Sequence, residues 1–147
     1  MRKQLPDFPW DALAPFGDLA RAHPDGIIDL SQGTPVDPTP EFIQQVFRDA
    51  SNSPSYPVTA GTPELRSAIR KWAIDRLGAT GEFDVLPLIG SKELVAGLPT
   101  ILESQKVLIP EIAYPTYHVG ALIAQAQSIP VGIDATQWPS ADLAWIN

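Results

Sequence analysis

Apolar residues fall along the chain in two rhythms. One is helical. Phe42, Ile43, Val46 and Phe47 recur at three- and four-residue spacing, as do Leu65, Ile69, Trp72 and Ala73, and Leu94, Val95, Leu98 and Leu102. That is the signature of helices with one apolar face. The other rhythm is the short apolar run, at 27–30, 84–89, 106–109, 128–133 and 142–146, which suits strands buried on both faces. Local signals mark the boundaries. Thr39-Pro40 and Thr62-Pro63 read as helix caps followed by a first-turn proline, Glu64 suits a first turn, and Gly78 is a stop. The spacing predicts helices over about 11–23, 40–50, 62–78, 91–102 and 115–126, with a kink or break at Pro99. Helices alternating with strands give βαβ crossovers and a mostly parallel sheet flanked by helices. The last apolar run, 142–146, has no helix after it. A parallel sheet needs both faces covered, so the sequence is expected to be a truncated part of a larger domain.

Composition narrows the classes. The 147 residues are 44% hydrophobic, enough for one modest core. The net charge of −7 argues against nucleic acid or an anionic membrane as the main partner. There is no cysteine and there are two histidines, which leaves no thiolate nucleophile and no His- or Cys-based metal site. No apolar run approaches the roughly 20 residues that span a bilayer, and the opening residues lack a signal-peptide core. A cytoplasmic protein is expected. The 16 prolines are about twice the usual share of roughly 5%, but they sit at element boundaries rather than in a tract. Residues 1–26, with Phe8, Trp10 and Phe16, read as an aromatic-bearing arm that packs on its own domain or on a neighbour.

The chemistry concentrates at Leu88-Ile89-Gly90-Ser91-Lys92-Glu93. A strand turning through Gly-Ser into a helix leaves backbone N–H groups unpaired at the positive end of the helix dipole, which is an anion site suited to phosphate. It is no P-loop, for the glycine expected four positions before a Gly-Lys pair is absent, and no Gly-x-Gly-x-x-Gly fingerprint is present. An ordinary strand–helix turn capped by Ser91 fits the same residues. Tyr114, in Ala-Tyr-Pro-Thr-Tyr, follows a strand, where ligands of parallel sheets dock, and its ring can stack on a flat heterocycle or serve as a rim aromatic. Tyr56 carries a phenol able to bond a phosphate or carboxylate, and Gly33 offers a backbone N–H or simply makes a turn. His118 reads as a surface or satisfied core residue, and Asp134 and Asp142 as solvated. No Ser/His/Asp pattern supports a triad.

Four segments in order, Leu-Ser-Gln-Gly-Thr-Pro (30–35), Tyr-Pro-Val-Thr-Ala-Gly-Thr-Pro-Glu-Leu-Arg (56–66), Ile-Gly-Ser-Lys-Glu (89–93) and Pro-Glu-Ile-Ala-Tyr-Pro-Thr-Tyr (110–117), resemble the N-terminal part of a class I/II aminotransferase of fold type I, dependent on pyridoxal 5'-phosphate. The Asp-Phe-Pro-Trp-Asp opening and Gly-Ser-Lys-Glu-Leu-Val look most like actinobacterial succinyldiaminopimelate aminotransferases. The resemblance runs from about residue 6 to 147 and implies an N-terminal arm (1–26) and a partial cofactor-binding large domain (27–147). It implies that Gly90, Ser91 and Lys92 form a phosphate cup, that Tyr114 stacks on the pyridine ring and that Tyr56 reaches the cofactor phosphate of the other subunit of a homodimer. Gly33 would contact the substrate carboxylate, with amino acids and keto acids as substrates. The implied parent reaction is glutamate-dependent transamination of an N-succinyl amino-ketopimelate in lysine biosynthesis. The family's cofactor lysine, its Asn-Pro-Thr-Gly motif, the aspartate partner of the pyridine nitrogen and the carboxylate-binding arginine have no match in these residues; Asn147 stops short of that motif. No catalytic residue and no metal ligand is therefore expected in the chain, which alone should not transaminate. The competing expectation is a non-catalytic module that keeps a phosphate cup. The join at 103–106 is shorter than the family's usual turn.

Overall fold

The computed structural model describes residues 5–31, 33 and 35–146. The first four arm residues, Gln32 and Thr34 of the turn-rich loop, and Asn147 lie outside them. The chain divides into two compact units, one made of 1–27 with 88–147 and the other of 28–87.

The first unit holds the sheet. After a 3-10 turn at Asp11–Leu13 come α1 (Ala14–Arg21), α4 (Lys92–Ile101), β1 (Lys106–Pro110), α5 (Pro115–Ala124), β2 (Gln127–Val131) and β3 (Leu143–Ala144), while α2 (Glu41–Asp49) and α3 (Pro63–Leu77) belong to the second unit. The strand order is β2-β1-β3, and both pairings are parallel, as the alternation of elements predicts. The central strand β1 aligns Val107 with Ser128 on one side and Leu143 on the other. Its three middle residues are all buried, as in a strand covered on both faces. Val107 and Ile109, two apart and so on one face, join Ala121 and Ala126 in the core, with Tyr117 and Trp145 packed against them.

Several expectations are corrected. The runs 27–30 and 84–89 form no helix and no ladder among the described residues. A strand is a property of a pair of segments, and no second strand meets these runs among the described residues. The start of the second is held by side chains instead: Arg66 pairs with Asp84, and the Arg70 guanidinium donates to the Phe83 carbonyl. The arm helix begins only at Ala14, because Pro15 lacks an N–H and is tolerated only in a first turn. Helix α2 starts one residue later than expected. Pro40 itself is the cap, and Thr39 serves through its carbonyl, which accepts from the Gln44 side chain at 2.7 Å. The apolar faces of α2 and α3 exist as patterns but have no fully buried residue. The last strand is two residues long rather than five, although Asp142 and Trp145 N–H extend its pairing to Lys106 and Leu108.

The capping signals of α3 hold. Thr62 Oγ1 accepts from Leu65 N–H at 3.2 Å, and Gly78 closes the helix in the left-handed conformation. Pro99 does not break α4 where it stands; the helix ends after Ile101, and Glu103 at φ 51 turns the chain out. Proline removes only the bond to residue 95, and the last turn is held by Leu102 N–H to Leu98 and Ser104 N–H to Pro99.

Asp134 and Asp142 are exposed, yet neither is merely solvated. Asp134 caps the 3-10 turn Ala135–Gln137 by accepting from Thr136 N–H and Oγ1. Asp142 accepts from Lys106 N–H at 2.9 Å and Gln105 N–H at 2.8 Å, bonds that hold its carboxyl below the usual carboxylate range. A lowered folded value means this tie is intact above the ordinary carboxylate range and is released as pH falls through the lowered value. The same carboxylate ties the end of the 103–106 join to the start of the neighbouring strand β3.

Candidate functional site

The junction before α4 has the geometry of an anion cradle. Gly90 takes φ +76, and a Cβ built there would meet nothing within 4 Å. Ser91 occupies the cap position at φ −88, ψ −13, but its side chain makes no capping bond. Val95 N–H is the first to bond back, to the Ser91 carbonyl at 2.9 Å. The N–H groups of Lys92, Glu93 and Leu94 therefore precede the helical ladder, at the positive end of a 10-residue helix. The ordinary capped turn, which would spend the Ser91 hydroxyl on one of these donors, is not what forms.

Tyr114 caps the next helix of the unit with extended backbone, φ −61 and ψ 123, and Pro115 sets the first turn. Its ring is 37% exposed and meets Tyr117 edge-on at 5.9 Å between centroids. Tyr117 in turn lies flat on Trp145 at 4.8 Å. Tyr114 is thus braced by an edge contact to an aromatic pair that packs on the core, while it stays partly accessible. A cavity of about 240 Å³ opens beside it, lined also by Pro115, His118, Ser128 and Pro130. His118 is satisfied there through Nδ1 and the Ser128 hydroxyl at 2.9 Å.

A second cavity, of about 450 Å³, joins the arm to both helices, with Phe8, Lys92, Ala96, Pro115, Thr116 and Val119 among its walls. Lys92 Nζ stands 5.6 Å from the Phe8 ring centroid, and Phe8 stacks on Trp10 at 5.2 Å. A larger apolar space of about 610 Å³ lies at the carboxyl ends of the strands, against Val131, Trp138 and Trp145, and contains none of the candidate residues.

Gly90, Ser91, Lys92 and Tyr114 therefore share one unit. Tyr56 and Gly33 belong to the other, where Tyr56 is 99% exposed and Gly33 has open space around its Cα. Among the described residues no cluster of His, Cys, Asp or Glu could hold a metal, and no helix is long and apolar enough to cross a membrane. Sequence reasoning passed over Gly120, whose signal was a glycine in the middle of an otherwise apolar helix.

The arrangement offers backbone donors suited to a phosphate and a partly exposed tyrosine able to stack on a flat ring. Comparison with known proteins identifies a family. The family model described as aminotransferase class I and II matches residues 25–142. The chain is 53% identical over 128 residues to the probable aminotransferase Rv1178 of Mycobacterium tuberculosis, covering 82% of this chain and 30% of that protein. It is 44% identical over 133 residues to the Streptomyces rimosus 4-dedimethylamino-4-oxo-anhydrotetracycline transaminase OxyQ, covering 88% and 37%. Among solved structures, the N-succinyldiaminopimelate aminotransferase of Mycobacterium tuberculosis matches with TM-score 0.59 and 27% identity, over 69% of this chain and 28% of that one. The chain spans about a third of the length of the curated relatives it matches.

Proposed function

Because the chain belongs to the class I and II aminotransferase family, whose fold type I members depend on pyridoxal 5'-phosphate, we propose that it supplies the phosphate-binding and ring-stacking part of that cofactor's site. The observation that carries this reading is the open amino end of α4, with Gly90 in the left-handed region and the Ser91 side chain uncommitted. Ser91 and Lys92 N–H hold the phosphate, and Gly90 lets it approach the backbone. Tyr114 stacks on the ring and keeps water off one face. The chemistry the cofactor supplies when bound is an electron sink for the carbanion formed at the substrate carbon.

Residues 27–147 are read as part of a large domain and 1–26 as its arm. Tyr56 reaches the phosphate held by a second subunit of a cytoplasmic homodimer, and Gly33 offers its N–H to the substrate carboxylate. The whole protein transfers an amino group from glutamate to a keto acid, and an N-succinyl amino-ketopimelate is the favoured acceptor. The likeness to the Mycobacterium tuberculosis N-succinyldiaminopimelate aminotransferase supports that acceptor. No residue of the 147 takes the role of the family's cofactor lysine, so the chain alone binds without turning over.

Calorimetric titration with pyridoxine 5'-phosphate and with pyridoxine tests the cofactor reading. These ligands lack the aldehyde that would react with surface lysines. The phosphate ester is expected to bind about tenfold or more tighter than the alcohol, as charge-assisted donors at a helix terminus require. Equal affinities would remove the phosphate cup. The substrate reading is checked on a full-length protein carrying this chain, with glutamate as donor. The succinylated ketone should react roughly tenfold or more faster than its unsuccinylated counterpart, and equal rates would withdraw the assignment.

A further inference from the structure

Resting on the cofactor reading above, we infer that Gly120 is a positioning residue that sets the spacing between the anion cradle and Tyr114. Lys92 and Ala96 of α4 line one cavity together with Pro115, Thr116 and Val119 of α5. The two helices therefore run side by side with their amino ends level. The cradle precedes one and Tyr114 caps the other, so the distance between helices is the distance between the two halves of the site. At Gly120 the two backbones approach closely. A Cβ there would stand 2.9 Å from the Ala96 carbonyl oxygen, 3.0 Å from that of Val95 and 3.2 Å from Ala96 Cα. All three are backbone atoms, so no side-chain rotation relieves the contact.

Two further features fix the arrangement. Pro99 has no N–H to give the Val95 carbonyl one turn back, and that carbonyl oxygen is one of the atoms facing Gly120. On the sheet side Ala121 is fully buried in the core with Val107 and Ile109, so α5 cannot retreat inward to admit a larger residue. An interior glycine weakens a helix, and here close packing accounts for it. A Cβ at position 120 would displace α5 from α4 and carry Tyr114 away from the cradle, while the cradle itself, built on α4 alone, stays intact.

The test uses the 147-residue chain and its variants Gly120→Ala, Ala96→Val and Gly97→Ala, titrated with inorganic phosphate and with pyridoxine 5'-phosphate. Ala96→Val adds bulk on the α4 residue whose carbonyl oxygen and Cα meet Gly120, and Gly97→Ala adds a Cβ where nothing lies within 4 Å. Gly120→Ala and Ala96→Val are expected to bind inorganic phosphate as the parent does but to bind pyridoxine 5'-phosphate about fivefold to tenfold more weakly, the loss of an aromatic stack. Gly97→Ala should match the parent with both ligands. Unchanged pyridoxine 5'-phosphate affinity in a variant that still binds phosphate overturns the inference. So does joint loss of both ligands in both variants, since the contact would then hold the fold and not the spacing. A parent chain that binds the ester no better than inorganic phosphate would instead overturn the cofactor reading itself.

Discussion

Val107→Asp is expected to abolish cooperative folding of the unit made of 1–27 and 88–147. Val107 is wholly inaccessible to solvent, lies in the central strand and is paired on both sides. Its neighbours in the core are Ile109, Ala121 and Ala126, none of which can solvate a carboxylate. An unpaired charge in such a place costs about 4 kcal/mol or more, against a total stability of roughly 5–15 kcal/mol for an ordinary domain. This unit has a small core and many exposed apolar residues, so little remains in reserve. Val107→Ala provides the graded comparison, with a cost of about 2 kcal/mol for the methyl groups and the cavity they leave. Urea unfolding followed by circular dichroism reads both. A Val107→Asp midpoint equal to the parent's would show that β1 is not the centre of the fold.

Gly90→Val should weaken phosphate binding by about tenfold or more while leaving α4 formed. At φ +76 a β-branched residue pays about 1–2 kcal/mol. The turn escapes that strain by moving to negative φ, which swings the N–H groups of Ser91 and Lys92 away from a common point. Helix α4 starts beyond the altered residue, so far-ultraviolet circular dichroism should hardly change. Gly90→Asn is the informative partner, because asparagine tolerates the left-handed region and should retain most of the affinity. The effect would then belong to backbone conformation and not to the bulk of any side chain. Calorimetry with inorganic phosphate decides it, and full affinity in Gly90→Val would place the anion elsewhere.

The residues differ in how far the sequence reveals them. Thr62 and Gly78 announce the two ends of α3 because a cap is a bond between near neighbours, Thr62 Oγ1 with Leu65 N–H. Lys106–Pro110 announces itself as a strand because all its middle residues are apolar, whichever strands flank it. The turn at Gly90 was legible for the same local reason. The runs at 27–30 and 84–89 look much like β1 in composition, yet they join no strand ladder among the described residues, and no feature of a run taken alone says whether another strand will meet it. Asp142 reads as a solvent-facing carboxylate until Gln105 and Lys106, 37 and 36 residues away, are brought to it.

By itself the sequence determined the helix periods, both caps of α3, the parallel α/β class, the family resemblance and the candidate residues of the phosphate turn. Each rests on spacing or hydrogen bonding within a few residues. The tertiary structure alone decided which apolar runs became strands, that Asp142 closes the 103–106 join, and that Gly120 lies against the Val95 and Ala96 carbonyls. Those contacts join residues distant in the chain, and their energy depends on which backbone groups and surfaces actually meet, a quantity that exists only once the elements have packed.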